Sequence, residues 1–543
     1  MPSTITHRRA CWSISAKSLG THENNRLCLL KSCAIGRLWP SAAAATAGEF
    51  MTERFLGIDL GSGSLKATVI DGRGEVIDAS SASLMTSYRH PGWAEQDPKE
   101  WIAAMCFALK CLAEKGSLQG VAAAAVSSGT HIVVLVDEKG EILRPAILWS
   151  DQRSAAESAE LVRLYGKRIL QVGYQKANPT WTLPQLLWLR RHEPEIVSRV
   201  HRVYPAKDYL RFFLTGRWET DYVDAAGTLM LDMAANAWSP ELAEMIGWDL
   251  STMPPIGSPF ALAGTLTPQA ATMTGLAEGT PIVMGASDSS VEMLTAGAAE
   301  PGLAAIKLAT AGVVAVVSEK AHPQADLLNY RHIDPDYWYV VAATNSCASA
   351  HRWLQENLVT GHDGFVELDR LAASVEPGAE GLIFHPFLNG ERSPYWDTQL
   401  RAGFLGMSMR HGHAHFVRAL YEGIGFSLLD CLNSLPKELG ALREARIIGG
   451  GARSDVWRKI IADIFRIRVV WPENDDASFG TALLAAVGIG QFPFVRDAVR
   501  TCVRFRNVCE PNDAAAEVYG SRYGFYCETV KALQPLYRKY TVA

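Results

Sequence analysis

The chain has 543 residues, which exceeds the size of a single hydrophobic core, so we expect two or three domains, or two large ones. Hydrophobic residues make up 48% and charged residues 20% of the sequence, as in an ordinary globular enzyme. The net charge of -5 offers no basic surface for nucleic acid, no apolar run reaches the roughly 20 residues of a membrane span, and the cysteines lack zinc-type spacing. We therefore expect a soluble, cytoplasmic protein with neither nucleic acid nor membrane among its partners.

Residues 1–50 differ in composition from the remainder of the chain. They carry six arginines and lysines against only two glutamates, with a run of alanines near the end. A leader with arginine and serine but few acids is typical of an organellar transit peptide. We favour a disordered leader or a start-site artefact, because Met51 stands only a few residues before the first predicted strand.

The first predicted element is a β-hairpin over residues 55–71. An apolar run ends at Asp59, small residues form the turn, and a second apolar run ends at Asp71. Such a turn lets backbone N–H groups approach a polyphosphate, and Ser62 and Ser64 add hydroxyl donors. A carboxylate at the position of Asp59 can hold Mg2+ directly or through its waters. The alternative is an ordinary glycine-containing hairpin with a solvated aspartate.

Two apolar runs, 121–128 and 132–136, predict buried strands that pair with each other. Strand ends collect ligand-facing residues, so His131 between them is a candidate for a hydrogen bond to a substrate hydroxyl. The alternative is a structural histidine. Farther along, a tryptophan precedes the carboxylate of Asp151 and the guanidinium of Arg153. That combination suits a polyol, which takes bidentate polar partners and an apolar wall.

The middle of the chain holds a candidate base and a second hairpin. Residues 285–290 read Gly-Ala-Ser-Asp-Ser-Ser, in which Asp288 is a candidate carboxylate base. Residues 303–317 then repeat the pattern of the first hairpin around a small turn at 309–312. Two such hairpins facing each other could clamp a triphosphate between two domains. Neither one matches a P-loop or a protein-kinase glycine loop, which argues against those phosphate sites.

A third candidate loop lies at residues 446–454. An apolar strand runs into Gly449, Gly450 and Gly451, and a segment of helical period follows with Ser454 as its N-cap. Glycines leave the backbone bare, so a flat adenine or ribose can lie against it. Its place after a strand, before a helix and downstream of two hairpins favours a nucleoside-binding loop.

Motifs along the chain resemble those of the FGGY family of carbohydrate kinases over about residues 54–535, and within it they are similar to the xylulokinases. The motifs lie at 57–62, 90–98, 144–153, 206–211, 389–394, 403–406, 416–423 and 449–454. The resemblance implies an α/β protein with the two-domain actin-like ATPase fold, built on ribonuclease-H-like cores with an interdomain active-site cleft. It implies an N-terminal sugar-binding and catalytic domain at 51–298 and a C-terminal nucleotide-binding domain at 299–535.

The same resemblance implies ATP-dependent phosphorylation of a small sugar, first of all a ketopentose such as xylulose, with ATP and Mg2+ as cofactors. Asp288 would take the proton of the sugar hydroxyl as that hydroxyl attacks the γ-phosphate, and Asp59 would organise Mg2+. The other candidates for contact with the sugar are Thr130, His131, Asp151, Arg153 and Ser289. The candidates for contact with the nucleotide are Ser62, Ser64, Lys66, Thr310, Gly312, Gly450, Gly451, Ala452 and Ser454.

The chain departs from the xylulokinase pattern near the sugar. It has Thr130 where methionine is usual beside the histidine, Ser289 where asparagine usually follows the base, and Ala-Thr-Ala-Gly at 309–312 in place of Gly-Thr-Ser-Gly. A hydroxyl in place of an apolar wall could favour another pentulose, a polyol or a sugar acid. The alternatives are a kinase for gluconate, erythritol, glycerol or a related polyol, or a non-catalytic actin-fold nucleotide switch. The oligomeric state stays open, with a homodimer as one option.

Overall fold

The computed structural model of the protein describes residues 53–359 and 364–540. The predicted leader at 1–50 lies outside the described residues. Within the described ranges, no helix is both long and apolar enough to cross a membrane. The cysteines of these ranges are all free thiols.

The first half of the chain forms a six-stranded sheet. Its strands are β1 (Arg54–Leu60), β2 (Ser64–Asp71), β3 (Val76–Ser83), β4 (Val121–Ser128), β5 (Leu262–Thr265) and β6 (Pro281–Ser287). They lie in the order β5-β6-β4-β1-β2-β3, in which β1, β4 and β6 are parallel and the other pairings are antiparallel. The predicted first hairpin is therefore confirmed as β1 and β2.

The second half forms a seven-stranded sheet. Its strands are β7 (Leu303–Leu308), β8 (Gly312–Ser318), β9 (Leu328–Arg331), β10 (Trp338–Thr344), β11 (Glu444–Ile448), β12 (Arg468–Pro472) and β13 (Phe505–Cys509). The run β10-β8-β7-β11-β12 repeats the order and directions of β3-β2-β1-β4-β6 in the first sheet. The predicted repeat of the hairpin is thus part of a repeat of the whole sheet, the ribonuclease-H-like core.

Helices cover both sheets, and many begin at residues suited to capping. Ser454 accepts a hydrogen bond from the Trp457 amide, which confirms it as an N-cap, and Asp476 caps another helix in the same way. The helices of the described ranges are α1 (Pro98–Glu114), α2 (Ala155–Gly173), α3 (Thr182–His192), α4 (Pro194–Val197), α5 (Ala206–Thr215), α6 (Tyr222–Gly227), α7 (Pro240–Ile246), α8 (Pro268–Thr274), α9 (Asp288–Thr295), α10 (Ala348–Asn357), α11 (Phe365–Ala373), α12 (His413–Asn433), α13 (Asp455–Phe465), α14 (Ala477–Gly488), α15 (Val495–Cys502) and α16 (Asp513–Tyr540).

Helices α9 and α14 lie where the two halves meet. α14 comes late in the chain and is buried along its whole length, yet it packs on the first sheet, where Phe479 and Ala482 join a core with Phe55. α9 contributes Val291 to that same core, while its Met293 packs in a core with β7 and β8 of the second sheet. These two helices therefore connect the sheets, and the predicted domain division at 298/299 stays a prediction.

The prediction that residues 132–136 pair with β4 is wrong. Val133–Val136 is a strand, but it pairs antiparallel with Arg202–Pro205. Both edges of β4 are already occupied, by β1 on one side and β6 on the other. The chain leaves the sheet at His131, whose φ of 72 lies in the left-handed region that a non-glycine residue seldom adopts.

Short two-stranded ribbons complete the described fold. Their strands are Glu95–Gln96 with Ala146–Ile147, Val133–Val136 with Arg202–Pro205, Thr220–Asp221 with Ile256–Gly257, Leu231–Asp232 with Ala237–Trp238, and Ile383–His385 with Gly403–Leu405. The first of them brings Glu95 beside the segment that holds Asp151 and Arg153.

Gly57 in the first family motif is required by packing, which gives a test of stability. A Cβ at this position would overlap the Ser478 carbonyl oxygen and the Ala482 amide nitrogen of α14. Gly57→Ala should therefore destabilise the protein by roughly 3 kcal/mol, the upper end for overpacking, seen as a lower midpoint of urea unfolding. Gly524→Ala is the matched control, because Gly524 lies in α16 with nothing within 4 Å of an added Cβ. Equal midpoints for the two variants would contradict this account.

Candidate active site

Asp288 lies where the parallel strands of the first sheet end. It is the first residue of α9 and directly follows β6, whose Ser287 is the register partner of Ser128 at the end of β4. The chain after β4 therefore passes beside Asp288, and an added Cβ at Gly129 would lie 3.7 Å from the Asp288 Oδ2 atom. Ligands bind at this edge of open α/β sheets.

The Asp288 carboxylate is half-buried and held by backbone donors. Its Oδ1 atom accepts a hydrogen bond from the Ser289 amide at 2.6 Å, and the Thr130 amide also donates to the carboxylate. Burial and the nearby Glu292 carboxylate raise the pKa of Asp288 to about 7, although Lys307 and the two amides act in the opposite direction. A carboxylate with a pKa in this range is well matched to accept a proton near neutral pH.

Asp59 ends β1 beside this group and is buried. Its Oδ1 atom accepts a hydrogen bond from the Ser127 hydroxyl at 2.7 Å, and Ser127 is in turn bonded to Thr481 of α14. Burial raises the pKa of Asp59 to about 8, with a further contribution from the negative charge of Asp288. Two neighbouring carboxylates that repel each other form a site where a cation is favoured.

The residues around Asp59 fit Mg2+ rather than a metal held by protein alone. Among the described residues there is no group of three or more His, Cys, Asp or Glu side chains arranged to hold a metal. Mg2+ keeps several of its waters and is bound by one or two carboxylates together with substrate phosphates. Asp59 is placed to supply such a carboxylate.

The turn between β1 and β2 presents Ser62 and Ser64. The Ser62 carbonyl oxygen accepts a hydrogen bond from Gln96 at 2.6 Å, and its hydroxyl oxygen accepts one from the Trp149 indole at 3.0 Å. Ser64 begins β2. Lys66 lies opposite Asp59 in the hairpin, with its ammonium 2.5 Å from Asp476 at the start of α14. The turn is therefore held by side chains, and Ser62 and Gly63 at its tip are exposed.

The second small turn contacts the glycine loop. The Thr310 carbonyl oxygen accepts hydrogen bonds from the Cys347 amide at 3.1 Å and the Ser349 hydroxyl at 2.8 Å. Leu308, at the end of β7, lies so close that an added Cβ at Gly451 would be 2.8 Å from its Cβ atom. The structure thus brings the 309–312 turn and the 449–454 loop together. Two loops that bind the same ligand must lie this close to each other.

The residues predicted to contact the nucleotide differ in their exposure and packing. Gly450 is exposed and has open space around it, so its backbone is accessible. Gly312 is needed for packing, since an added Cβ would be 2.6 Å from the Thr344 Cγ2 atom. Ala452 is buried, and the Ser454 hydroxyl both caps α13 and donates to Asp369 at 2.7 Å. Ala452 and Ser454 therefore shape the 449–454 loop from inside, and Gly312 shapes the neighbouring 309–312 turn.

His131 lies next to the Thr130 amide that binds Asp288. Its Nδ1 atom hydrogen-bonds the Gly227 carbonyl oxygen, which can only accept, so Nδ1 carries the proton. Burial lowers the pKa of His131 to about 4, which keeps the ring neutral. The Nε2 atom of this tautomer is an acceptor, suited to a hydroxyl of a ligand.

A row of aromatic rings continues from His131, and sequence analysis missed it. The His131 ring lies 4.0 Å from that of Trp181, and Trp181 stacks on Tyr330 at 6.0 Å. Tyr330 stacks on Tyr339 at 5.3 Å, and the Tyr339 hydroxyl lies 3.0 Å from the Ser289 hydroxyl. These rings come from distant parts of the chain, so no local motif marks them.

The buried cluster around Lys207 was likewise assigned no role, although it lies in the 206–211 motif. The Lys207 ammonium is 2.5 Å from Asp208, 2.8 Å from Asp221 and 3.4 Å from Asp224, all buried. Asp224 lies on α6, which ends at the Gly227 that binds His131. The cluster therefore fixes the helix that orients the histidine ring. The sequence did contain a signal for this cluster, because Lys207 and Asp208 stand in an otherwise apolar stretch that is followed by Asp221 and Asp224.

The structure does not place Asp151 and Arg153 in the group around Asp288. Both side chains are 1% exposed and form an ion pair at 2.8 Å. Arg153 also pairs with Glu95 at 2.7 Å and lies over the Trp93 ring, while Asp151 accepts a hydrogen bond from the Ala94 amide. Their polar atoms are thus used within the protein.

Comparisons with known proteins identify both halves of the chain. Models of the FGGY family of carbohydrate kinases match residues 54–295 with the N-terminal domain and residues 304–489 with the C-terminal domain. A xylulose kinase from Staphylococcus epidermidis is 33% identical over 479 residues, which are 87% of this chain and 96% of that protein.

Solved structures agree with the sequence relatives. The xylulose kinase from Rhodospirillum rubrum matches with a TM-score of 0.83 at 29% identity, over 90% of this chain and 100% of its own. A gluconate kinase from Lactobacillus acidophilus matches with a TM-score of 0.84 at 25% identity, over 90% of this chain and 99% of its own. The predicted two-domain actin-like fold is confirmed by these matches and by the repeated sheet. The protein is an ATP-dependent sugar kinase, and it belongs to the FGGY family of carbohydrate kinases.

Proposed function

We propose that this kinase phosphorylates a ketopentose such as xylulose, with Asp288 as the base that activates the sugar hydroxyl. The observation that carries the proposal is the half-buried Asp288 carboxylate, fixed by the Ser289 and Thr130 amides beside the neutral His131 ring. The xylulose kinase relatives support the substrate.

The reaction follows from these positions. The sugar hydroxyl gives its proton to Asp288 while its oxygen attacks the γ-phosphorus in line, and the bond from that phosphorus to the oxygen bridging to the β-phosphate breaks. The products are the sugar phosphate and ADP, and the proton leaves Asp288 to solvent. Mg2+ held through Asp59 neutralises phosphate charge when bound. The Ser62 turn, the Thr310 turn and the backbone at Gly450 hold the nucleotide.

Sugar recognition rests on His131 and its aromatic neighbours. The His131 Nε2 atom accepts a hydrogen bond from one sugar hydroxyl, and the buried Trp181 ring packs against the imidazole and holds it in place. Ser289 follows Asp288 in the chain, and its hydroxyl is bonded to Tyr339. Asp151 and Arg153 have a structural role in this proposal, because their polar atoms already have partners in the protein. A homodimer and a cytoplasmic location stay predictions.

A kinase for an aldonate is the second candidate. It is favoured by the likeness to a gluconate kinase structure and by Thr130, whose hydroxyl replaces an apolar side chain at the sugar. A coupled assay of ADP release over pentuloses, hexuloses, polyols and aldonates separates the two. Stimulation by xylulose above every other sugar supports the first candidate, and stimulation by gluconate supports the second. Turnover with none of them would reject both.

Asp288→Asn tests the base directly. The amide keeps the shape of the side chain but cannot take the proton, so kcat should fall by about 10²–10⁴-fold, the usual contribution of a general base. ATP binding, measured by titration calorimetry, should change little. Asp513→Asn at the exposed start of α16 is the control and should keep full activity. Turnover of Asp288→Asn equal to that of the control would reject Asp288 as the base.

The rate should depend on pH through Asp288. Because burial and Glu292 raise the pKa of this carboxyl to about 7, the base is protonated and inactive on the acid side and ionised on the alkaline side. The value of kcat/KM should rise about tenfold per pH unit below pH ~7 and level off above it. The remaining activity of Asp288→Asn should lack this rise. A wild-type profile without an acid limb would contradict the role of Asp288.

Thr130→Met tests the sugar pocket. Restoring an apolar side chain next to His131 should raise kcat/KM for D-xylulose relative to gluconate, by about 10-fold for a contact of one or two methylene groups. Thr272→Met on the exposed side of α8 is the control. The measurement is the ratio of the two kcat/KM values. A ratio equal in wild type, variant and control would show that Thr130 does not select the sugar.

A further inference from the structure

Lys307 brings a positive charge to the catalytic carboxylates from the other half of the molecule. It lies on β7, three residues before Thr310. Its ammonium is 2.5 Å from the Glu292 carboxylate, and Glu292 lies one helical turn after Asp288 on α9. Asp288 and Glu292 therefore project from the same side of α9, toward the strand that carries Lys307.

The direction of the Lys307 side chain follows from the strand. Side chains alternate along β7, so Lys307 shares a face with Leu303 and Ala305. Those two residues pack against Met293 of α9 in one core. Lys307 is thus held at the end of a packed face, where the strand leaves the core and the phosphate-binding turn begins.

The charges around Lys307 are mostly negative. Glu292, Asp288 and Asp59 all act on it, and together they raise its pKa even though burial alone would lower it. The other lysine of the site, Lys66, pairs with Asp476. Lys307 therefore stays protonated, and it is the cation shared by the two aspartates of the site.

The ion pair leaves Lys307 free to meet a ligand. An ammonium has three N–H donors, and in residues 53–359 and 364–540 its one hydrogen-bond partner is Glu292. The side chain is 34% exposed and that of Glu292 24% exposed, so both are accessible to solvent. A partly exposed pair of this kind adds little to stability, which does not account for a lysine among catalytic groups.

We propose that Lys307 is a further catalytic residue of this kinase, whose ammonium contacts the γ-phosphoryl group during transfer, and that Glu292 is the positioning residue that holds it there. The inference rests on the proposed role of Asp288. Negative charge moves from the sugar oxygen to the departing ADP in this step, and cations aimed at the transferred group stabilise it. Lys307 neither gains nor loses a proton, since the proton of the sugar passes to Asp288.

Lys307→Met removes the charge and keeps the length of the side chain. We expect kcat with the best sugar of the wild type to fall by about 10²–10³-fold, as for the loss of one preorganised donor to a transition state. KM for the sugar, ATP binding by calorimetry and the unfolding midpoint should stay near those of wild type. Glu292→Gln should lower kcat less, by about 10-fold, because the lysine is still present. Lys320→Met, at an exposed lysine, is the control and should be fully active.

Chemical rescue separates charge from structure. Lys307→Cys treated with 2-bromoethylamine regains an ammonium at nearly the same length, and its kcat should recover at least about 10-fold, with treated wild type as the reference. A kcat of Lys307→Met within threefold of wild type would overturn the proposal. So would a loss matched by weaker ATP binding or a lower unfolding midpoint, or a folded Lys307→Cys that the reagent does not restore. The assignment of Asp288 is judged separately, from Asp288→Asn with Lys307 intact.

Discussion

Asp59, which is buried, and Asp288, which is half-buried, lie at neighbouring strand ends, and the negative charge of Asp288 makes Asp59 harder to ionise. Lys307, whose charge acts on both carboxylates, forms its own ion pair with Glu292. The pair of aspartates therefore favours a further positive charge beside it. A divalent cation held through Asp59, as we propose, would supply that charge. The loops, the aromatic rings and the two connecting helices all hold this arrangement in place.

Much of the site was predictable because its parts are local in sequence. A carboxylate after an apolar run, a small turn between two strands and glycines before an N-cap each follow from turn and capping chemistry within ten residues. Asp59, Asp288 and Ser454 became candidates in that way, and the N-cap at Ser454 is confirmed. The repeat of the sheet was visible in its two hairpins. Local patterns suggested each loop and each carboxylate separately. The resemblance to a family then indicated that they belong to one site.

The remainder depends on contacts between residues far apart in the chain. Trp181 and Tyr330 stack on each other across about 150 positions, and Arg153 binds Glu95 across 58. Nothing local distinguishes an arginine that faces a sugar from one that faces a buried glutamate, so the contact of Asp151 and Arg153 with the sugar stays a prediction. The pairing of Val133–Val136 was missed for the same reason, because its partner strand lies some 70 residues later.

The position of α14 has a consequence for how the protein is made. This wholly buried helix covers the face of the first sheet around Gly57, although the sheet itself is complete in sequence by Ser287. A ribosome that has finished the first sheet still has nearly 200 residues to add before α14 emerges. During that time, many seconds at ordinary rates of synthesis, the apolar face of β1 and β4 lacks its cover. The growing chain therefore carries an unfinished core while these residues are added, which ties the folding of the first sheet to the completion of the second half of the chain.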